Sequence, residues 1–232
     1  MSQWSEHTPI VATFSVGQLL VESFAARLGI TLKDDRSTMS WIGQKEVDIY
    51  PPAPTKNQQR QKNSPTGVLD LPGSPFQVNI VLVKPSTHSM SHDIIPPLCL
   101  SQPLRTSELL MNISGKSAAL AYRAYVRPLR TTHVIILHDS LSHKPLSLHP
   151  RLGGSSNGHN GVASVISALQ GPDFHRIRIG IGRPESNGRY DGYVLEKLDP
   201  KEREWWGECG GGVDKAWAAI ENIVGKELRE PE

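Results

Sequence analysis

Residues 151–184 carry the side chains whose types and spacing are most suggestive of chemistry. A glycine-rich turn, RLGGSSNGHNG (151–161), holds His159 and Asn160 and leads directly into a helical pattern over 161–169, for which Asn160 is the predicted N-cap. The first N–H groups of a helix have no intrahelical partner, and the helix dipole places partial positive charge there. Such an entrance suits a bound anion or the oxygen of a polarised carbonyl.

Four arginines flank this turn, namely Arg151, Arg176, Arg178 and Arg183. Alternation along a predicted strand over 176–181 puts Arg176 and Arg178 on the same face. Two guanidinium groups can hold a phosphate through paired N–H donors. A solvated pair of charges explains the same pattern, so a phosphate clamp and a solvated face both remain interpretations.

Two further positions are candidates because of their place beside an element. Asp139 follows the apolar run HVIIL (133–137), and a carboxylate there can orient a catalytic histidine or a water. The alternative for Asp139 is a turn cap. Asn112, next to Met111, stands at the start of a helical pattern over 112–125, just before its helix at 114–125. It is either an ordinary N-cap or an amide that binds a carbonyl or a sugar.

The elements that must position these residues alternate along the chain. Apolar spacings typical of helices and short apolar runs typical of strands follow one another. The helices are predicted at 17–28, 112–125, 161–169 and 213–224, and the strands at 78–83, 133–137 and 176–181. This order predicts a single-domain α/β fold with a mixed, mainly parallel sheet flanked by helices, in which ligands bind at the carboxyl ends of the strands.

Composition narrows the function classes. The 232 residues contain 38% hydrophobic side chains and carry a net charge of +2, so nucleic-acid binding would require a local basic patch. Cys99 and Cys209 have neither metal-ligand spacing nor a disulfide pattern, and no apolar run is long enough to cross a bilayer. We therefore expect no metal, no cofactor and no membrane partner.

Several segments, taken together and in order, resemble the bacterial-type peptidyl-tRNA hydrolase family of aminoacyl-tRNA hydrolases. The matching segments are VLVKP (81–85), LMNISGKSA (110–118), HVIILHDSL (133–141), RLGGSSNGHNGVASVISAL (151–169) and FHRIRIGIGRP (174–184). The resemblance implies a monomeric carboxylic ester hydrolase that releases peptide from the 3′ end of tRNA in cytoplasmic or mitochondrial translation. Peptidyl-tRNA is then the expected partner.

The resemblance also implies roles for individual residues. Met111, Asn112 and His159 would bind the substrate near the ester, and Asp139 would orient the catalytic histidine. Asn160 would position the water or stabilise the oxyanion. Residues that would hold a tRNA phosphate are Arg151 and Arg178.

The N-terminal part departs from the family pattern. Residues 1–13 lack a recognisable first strand with its Gly-Asn-Pro-Gly turn, so we expect an atypical segment, a gap in the sheet, and a hydrolase-like domain over 14–228 with irregular insertions at about 51–75 and 86–107. An incorrect gene model over 1–13 and 86–107 is one hypothesis for these anomalies. Phe14 stands at the position of the catalytic histidine, and a phenyl ring cannot accept a proton.

The sequence therefore leaves three hypotheses about function open. The first is a peptidyl-tRNA hydrolase, and the second is a catalytically impaired paralogue that still binds tRNA. The third is a phosphate-binding α/β protein unrelated to tRNA, which explains the glycine turn and the arginines. It does not explain why the segments at 110–118 and 133–141 occur in family order.

Overall fold

The computed structural model describes residues 7–12, 15–50, 75–86, 114–183 and 198–228. These residues build one seven-stranded sheet with the strand order β2-β3-β4-β1-β5-β7-β6. The strands are β1 His7–Ala12, β2 Lys33–Asp35, β3 Ser40–Ile49, β4 Phe76–Pro85, β5 Ile135–Ser140, β6 Leu148–Leu152 and β7 His175–Gly180. The four central strands β4, β1, β5 and β7 are parallel to one another, and the pairings outside them are antiparallel.

Helices cover both faces of this sheet. They are α1 Ser15–Leu28, α2 at residues 114–121, α3 Asn160–Leu169, α4 Pro200–Trp206 and α5 Gly211–Glu227, with a π turn at Tyr122–Val126 and a 3₁₀ turn at Thr131–His133. The predicted mixed α/β domain is confirmed. Strands β2, β3 and β6 and helix α4 were not predicted from the sequence.

Apolar side chains from successive strand positions point to opposite faces and form two clusters. Ile135 and Leu137 of β5 lie, fully buried, with α1 and α5 on one face. Ile136, between them, lies with α2 and α3 on the other face. This alternation is the two-residue period of a strand covered on both sides. The sheet is therefore the middle of three layers.

The predicted gap in the sheet is wrong. Residues 7–12 form β1, which lies between β4 and β5 with parallel register, for example Pro9 opposite Val81 and Ile10 opposite Ile135. The strand escaped prediction because a proline within a short run argues against a central strand. Most of the predicted insertions at 51–75 and 86–107 lie outside the described residues.

Helices α2 and α3 start at the same edge of the sheet. Ser117 of α2 hydrogen-bonds to Ser40, which is paired with Pro85 at the carboxyl end of β4. The start of α3 contacts Asp139 near the carboxyl end of β5. Both helices therefore begin at the carboxyl edge of the parallel strands, and they meet where the Gly115 N–H donates to Ser164 Oγ at 3.2 Å.

Candidate active site

The carboxyl end of β5 and the start of α3 bring two of the predicted site residues together. Asp139 Oδ1 lies 3.4 Å from His159 Nε2, with side chains that are 5% and 14% exposed. The strand supplies the carboxylate, and the glycine-rich turn delivers the imidazole to it. This pair is the chemical centre of the candidate site, because a buried carboxylate fixes the orientation and tautomer of a neighbouring histidine.

His159 has a second role that corrects one prediction. It is the N-cap of α3, and its Nδ1 accepts a hydrogen bond from the Val162 N–H at 3.2 Å. Nδ1 is therefore unprotonated, so Nε2 carries the hydrogen that points to Asp139. The expectation that Asn160 caps the helix is wrong: Asn160 is the first helical residue, and it is exposed. Its side-chain amide is thus left at the surface beside the Asp139–His159 pair.

His138 is a site residue that the sequence analysis missed. Its ring lies edge-on against His159, with centroids 4.7 Å apart, and its Nδ1 donates to the Asp139 carbonyl at 2.7 Å. Burial, helped by the nearby His159, lowers the pKa of His138 to about 3. His138 is therefore neutral at physiological pH. Its buried Nε2 has no hydrogen-bond partner within the described chain.

Arg176 holds the glycine-rich turn through hydrogen bonds to its backbone. It is almost fully buried, its guanidinium donates to the carbonyls of Gly154 and Ser155, and it lies over the Phe174 ring at 5.2 Å. Gly154 has a φ of 91°, which other residues rarely adopt, and an added Cβ there would lie 2.6 Å from the Arg151 guanidinium. The backbone of the turn thus lies in close contact with Arg176 and Arg151.

Arg151 and Arg178 lie on the same side of the sheet as Arg176. Arg151 is opposite Arg176 in the β6–β7 register and is exposed, while Arg178 is half-buried and donates to the His149 carbonyl at 3.2 Å. Burial lowers the pKa of Arg178, and the charge of Arg151 lowers it further. No carboxylate of the described residues forms an ion pair with these arginines. A bound anion would relieve their mutual repulsion.

A histidine pair extends this basic surface. His149 is opposite Arg178 in the β6–β7 register, and its ring stacks on His143 with centroids 3.9 Å apart and planes 29° apart. His143 Nδ1 lies 2.7 Å from Ser140 Oγ. Strand alternation from Arg151 to His149 is the sequence signal that could have identified His149, but the antiparallel strand β6 was not predicted.

One of the predicted flanking arginines is not brought into the site: Arg183 is exposed after the end of β7. Met111, Asn112 and Phe14 lie outside the described residues. Within the described ranges no cluster of three or more histidine, cysteine or acidic side chains is arranged to hold a metal ion. No described helix is both long and apolar enough to cross a membrane.

Comparison with known proteins identifies the family of this chain. The family model for peptidyl-tRNA hydrolase matches residues 98–230, which is more than half of the chain and includes Asp139, His159 and all three clustered arginines. The chain belongs to the peptidyl-tRNA hydrolase family. The match begins after β4, so strands β1 to β4 lie outside the family match and are known from the structure.

Relatives and solved structures agree with this membership. The peptidyl-tRNA hydrolase of Leptothrix cholodnii is 33% identical over 132 residues, covering 57% of this chain and 58% of the relative. That of Methylorubrum populi is 42% identical over 98 residues, covering 42% and 45%. The chain thus spans about half the length of these relatives. The crystal structure of a mutant peptidyl-tRNA hydrolase from Acinetobacter baumannii has the same fold, with a TM-score of 0.63 and 24% identity over 98% of this chain and 93% of the other.

Proposed function

We propose that this protein hydrolyses the ester that joins a peptide, or an N-blocked amino acid, to the 3′ end of tRNA. The observation that carries this proposal is the contact between Asp139 and His159, with the exposed Asn160 amide directly after it. Ester hydrolysis requires a positioned water and donors directed at the developing oxyanion. Membership of the peptidyl-tRNA hydrolase family supports this reaction over other ester hydrolyses.

In this proposal each part of the site has a task. Asp139 orients His159 and, through its other carboxylate oxygen, accepts the proton of the attacking water, which then passes to the 3′ oxygen of the leaving tRNA. Asn160 positions this water or donates to the oxyanion. Arg151 and Arg178 hold a tRNA phosphate on the other side of the glycine-rich turn. Met111 and Asn112 bind the substrate near the ester, as the family resemblance implies. The reaction as proposed uses neither a metal nor a cofactor.

Two wider proposals follow from the same substrate. We propose that the protein acts as a monomer, as the family resemblance implies. We also propose that it acts where translation occurs, in the cytoplasm or in the mitochondrion. Sedimentation at micromolar concentration tests the first proposal, and fractionation of cells tests the second.

Release of labelled N-acetyl-amino acid from charged tRNA tests the proposed reaction. We expect multiple turnovers by the wild-type protein and a loss of at least about 100-fold in Asp139→Asn, since general acid–base assistance contributes about 10²–10⁴-fold. Asp173→Asn, which changes an exposed carboxylate after α3, is the matched control and should match wild type. Salt-sensitive tRNA binding without any release by the wild-type protein would instead identify a tRNA-binding paralogue that has lost hydrolysis.

A further inference from the structure

An open groove of about 640 Å³ lies between α2 and α3 and begins at the candidate catalytic amide. Its lining combines apolar side chains, most of them alanine, with polar and basic ones. The lining residues are Lys116, Ala119, Leu120, Arg123, Asn160, Ala163, Ser164, Ser167 and Ala168. Neither the Asp139–His159 pair nor the three clustered arginines (Arg151, Arg176 and Arg178) are among them, so the groove is a separate feature that adjoins the site at Asn160.

The length of the groove follows from the helix that forms its wall. Asn160 and Ser167 are seven residues apart on α3, which corresponds to about 10 Å along a helix. An extended peptide advances about 3.3 Å per residue. The groove is therefore long enough for about three residues of an extended chain that starts beside Asn160.

The position of the groove matches the order of groups in the proposed substrate. The strand order places β7 and β6, with Arg178 and Arg151, at one edge of the sheet. Helix α2 lies toward β3 and β4, where Ser117 contacts Ser40. The start of α3 lies between these two regions. A substrate whose phosphate is held by the arginines and whose ester lies at Asn160 therefore continues, as peptide, toward the groove.

The charged side chains that line the groove are all basic. Lys116 on α2 and Arg123 in the π turn that continues α2 are both exposed and both line the groove. They are seven residues apart, which corresponds to about 10 Å along a helix. No acidic side chain is among the lining residues, and no described carboxylate forms an ion pair with either cation. Lys116 and Arg123 therefore attract an acidic peptide side chain in the groove and repel a basic one.

We propose that the groove between α2 and α3 binds the peptide part of the substrate and that Lys116 and Arg123 make it favour acidic over basic residues close to the ester. This inference rests on the proposed function. Lys116, near the start of both helices, faces the residues next to the ester, and Arg123 faces those about three positions further along the peptide. The exposed Ser167 supplies a hydroxyl group for the peptide backbone, which suits a ligand of variable sequence.

Binding of RNA hairpins that end in a single-stranded 3′ tail tests this proposal without requiring hydrolysis. One hairpin carries no peptide. Two others carry an amide-linked, N-acetylated tetrapeptide with either glutamate or lysine at the second and third positions from the RNA. We expect the wild-type protein to bind the glutamate hairpin about 2- to 10-fold more tightly than the lysine hairpin, as contacts between exposed charges allow.

The decisive variant is Lys116→Glu combined with Arg123→Glu. It should reverse the preference, so that the lysine hairpin binds more tightly, and should leave the hairpin without peptide unchanged. Lys201→Glu combined with Lys226→Glu is the matched control, because it makes the same change in net charge on α4 and α5 across the sheet. The control should keep the wild-type preference. Thermal melting of each variant verifies that it folds.

Each other outcome has a distinct meaning. An unchanged preference in the charge-reversed protein would overturn the assignment of the groove to the peptide. Weaker binding of the peptide-free hairpin by that variant, but not by the control, would also overturn it and would assign the groove to the RNA strand. A wild-type protein that binds none of the hairpins in a salt-sensitive way would refute the proposed function itself.

Discussion

At the scale of single residues, His159 connects the fold to the proposed chemistry. The same ring caps α3 through Nδ1 and faces Asp139 through Nε2. Helix formation therefore fixes the position of the imidazole relative to the carboxylate. Substitutions that keep one of these contacts and remove the other separate the structural role from the chemical one.

His159→Ala and His159→Asn should differ in stability but not in activity. Alanine removes the cap and should lower the free energy of unfolding by about 0.5–2 kcal/mol, whereas asparagine is itself a good N-cap residue. Neither side chain presents a ring nitrogen to Asp139, so both should lose hydrolysis of charged tRNA. Urea unfolding and release assays on the same preparations check this. Full activity in His159→Asn would show that the contact with Asp139 is not used.

His138 should make the protein sensitive to mild acid. Its folded-state pKa of about 3 lies below the ordinary histidine value, so between these two values the unfolded chain binds a proton that the folded protein does not. Stability should therefore fall as the pH decreases from about 6.5, by up to about 1.4 kcal/mol per pH unit.

Urea unfolding of wild type and His138→Gln between pH 7 and 5 measures this effect. The variant should show a shallower decrease, because glutamine does not titrate. The window lies above the range in which Asp35 and Glu227, whose pKa values are also lowered, change charge. Identical slopes for the two proteins would mean that His138 becomes protonated in the folded state.

Parts of the site could be predicted from residue types alone, and the reason is local. Asp139 comes at the end of an apolar strand, and His159 comes directly before a helix. Both positions lie at the ligand-binding edge of an α/β sheet. The cap was assigned to Asn160 instead of His159, because the two residues are neighbours and only the backbone decides which one precedes the first helical turn. The burial of His138 depends on α3 packing over β5, which no local pattern encodes.

At the scale of elements, the contact between α2 and α3 shapes both the site and the groove beside it. Gly115 approaches α3 so closely that an added Cβ would lie well inside the van der Waals contact distance of the Ser164 carbonyl. The absence of a side chain at position 115 therefore sets how near the two helices come.

Gly115→Ala should destabilise the protein although alanine favours helices. Forcing a methyl group against backbone atoms typically lowers stability by about 1–3 kcal/mol, against a helix-propensity gain of at most about 1 kcal/mol. Gly171→Ala is the matched control, since nothing lies within 4 Å of its added Cβ. Thermal and urea unfolding compare the two. Equal stability of both variants would contradict the close helix contact.

Two strands that sequence analysis missed, β3 and β6, are defined by their pairing rather than by an apolar pattern. Strand β3 carries Gln44, Lys45 and Glu46 in its middle and is held by its register with β4. Strand β6 contains Pro150 and, among the described strands, pairs only with β7. Their partners were predicted because β4 and β7 supply buried side chains to the core. Strands with an exposed face give a weaker apolar signal.

At the scale of the whole molecule, the proposed binding of tRNA depends on a local cluster of basic side chains rather than on net charge. The net charge is only +2, but Arg151, Arg176, Arg178 and the His143–His149 pair lie together on one side of the β6–β7 edge. The composition could not predict this patch, because it arises when β6 folds back against β7.

Binding of tRNA should therefore depend strongly on salt. Each phosphate contact contributes about 0.9 to the slope of log K against log salt concentration for a duplex. Arg178→Gln should lower that slope by about 1 and weaken binding of all tRNAs alike, whereas Arg36→Gln, an exposed arginine after β2, should change neither. Titrations at four salt concentrations measure this. An unchanged slope in Arg178→Gln would remove this arginine from the phosphate site.

The most direct test of the proposed hydrolysis is single-turnover release of peptide from N-acetyl-peptidyl-tRNA at saturating protein, for wild type and Asn160→Ala. Saturation removes differences in tRNA affinity, so the rate reports the chemical step alone. We predict a decrease of about 10²–10³-fold in Asn160→Ala, the typical effect of removing one oxyanion donor. Asn222→Ala on α5 serves as control and should match wild type. Equal rates for Asn160→Ala and wild type, or no release by either, would contradict the assignment of hydrolysis to this site.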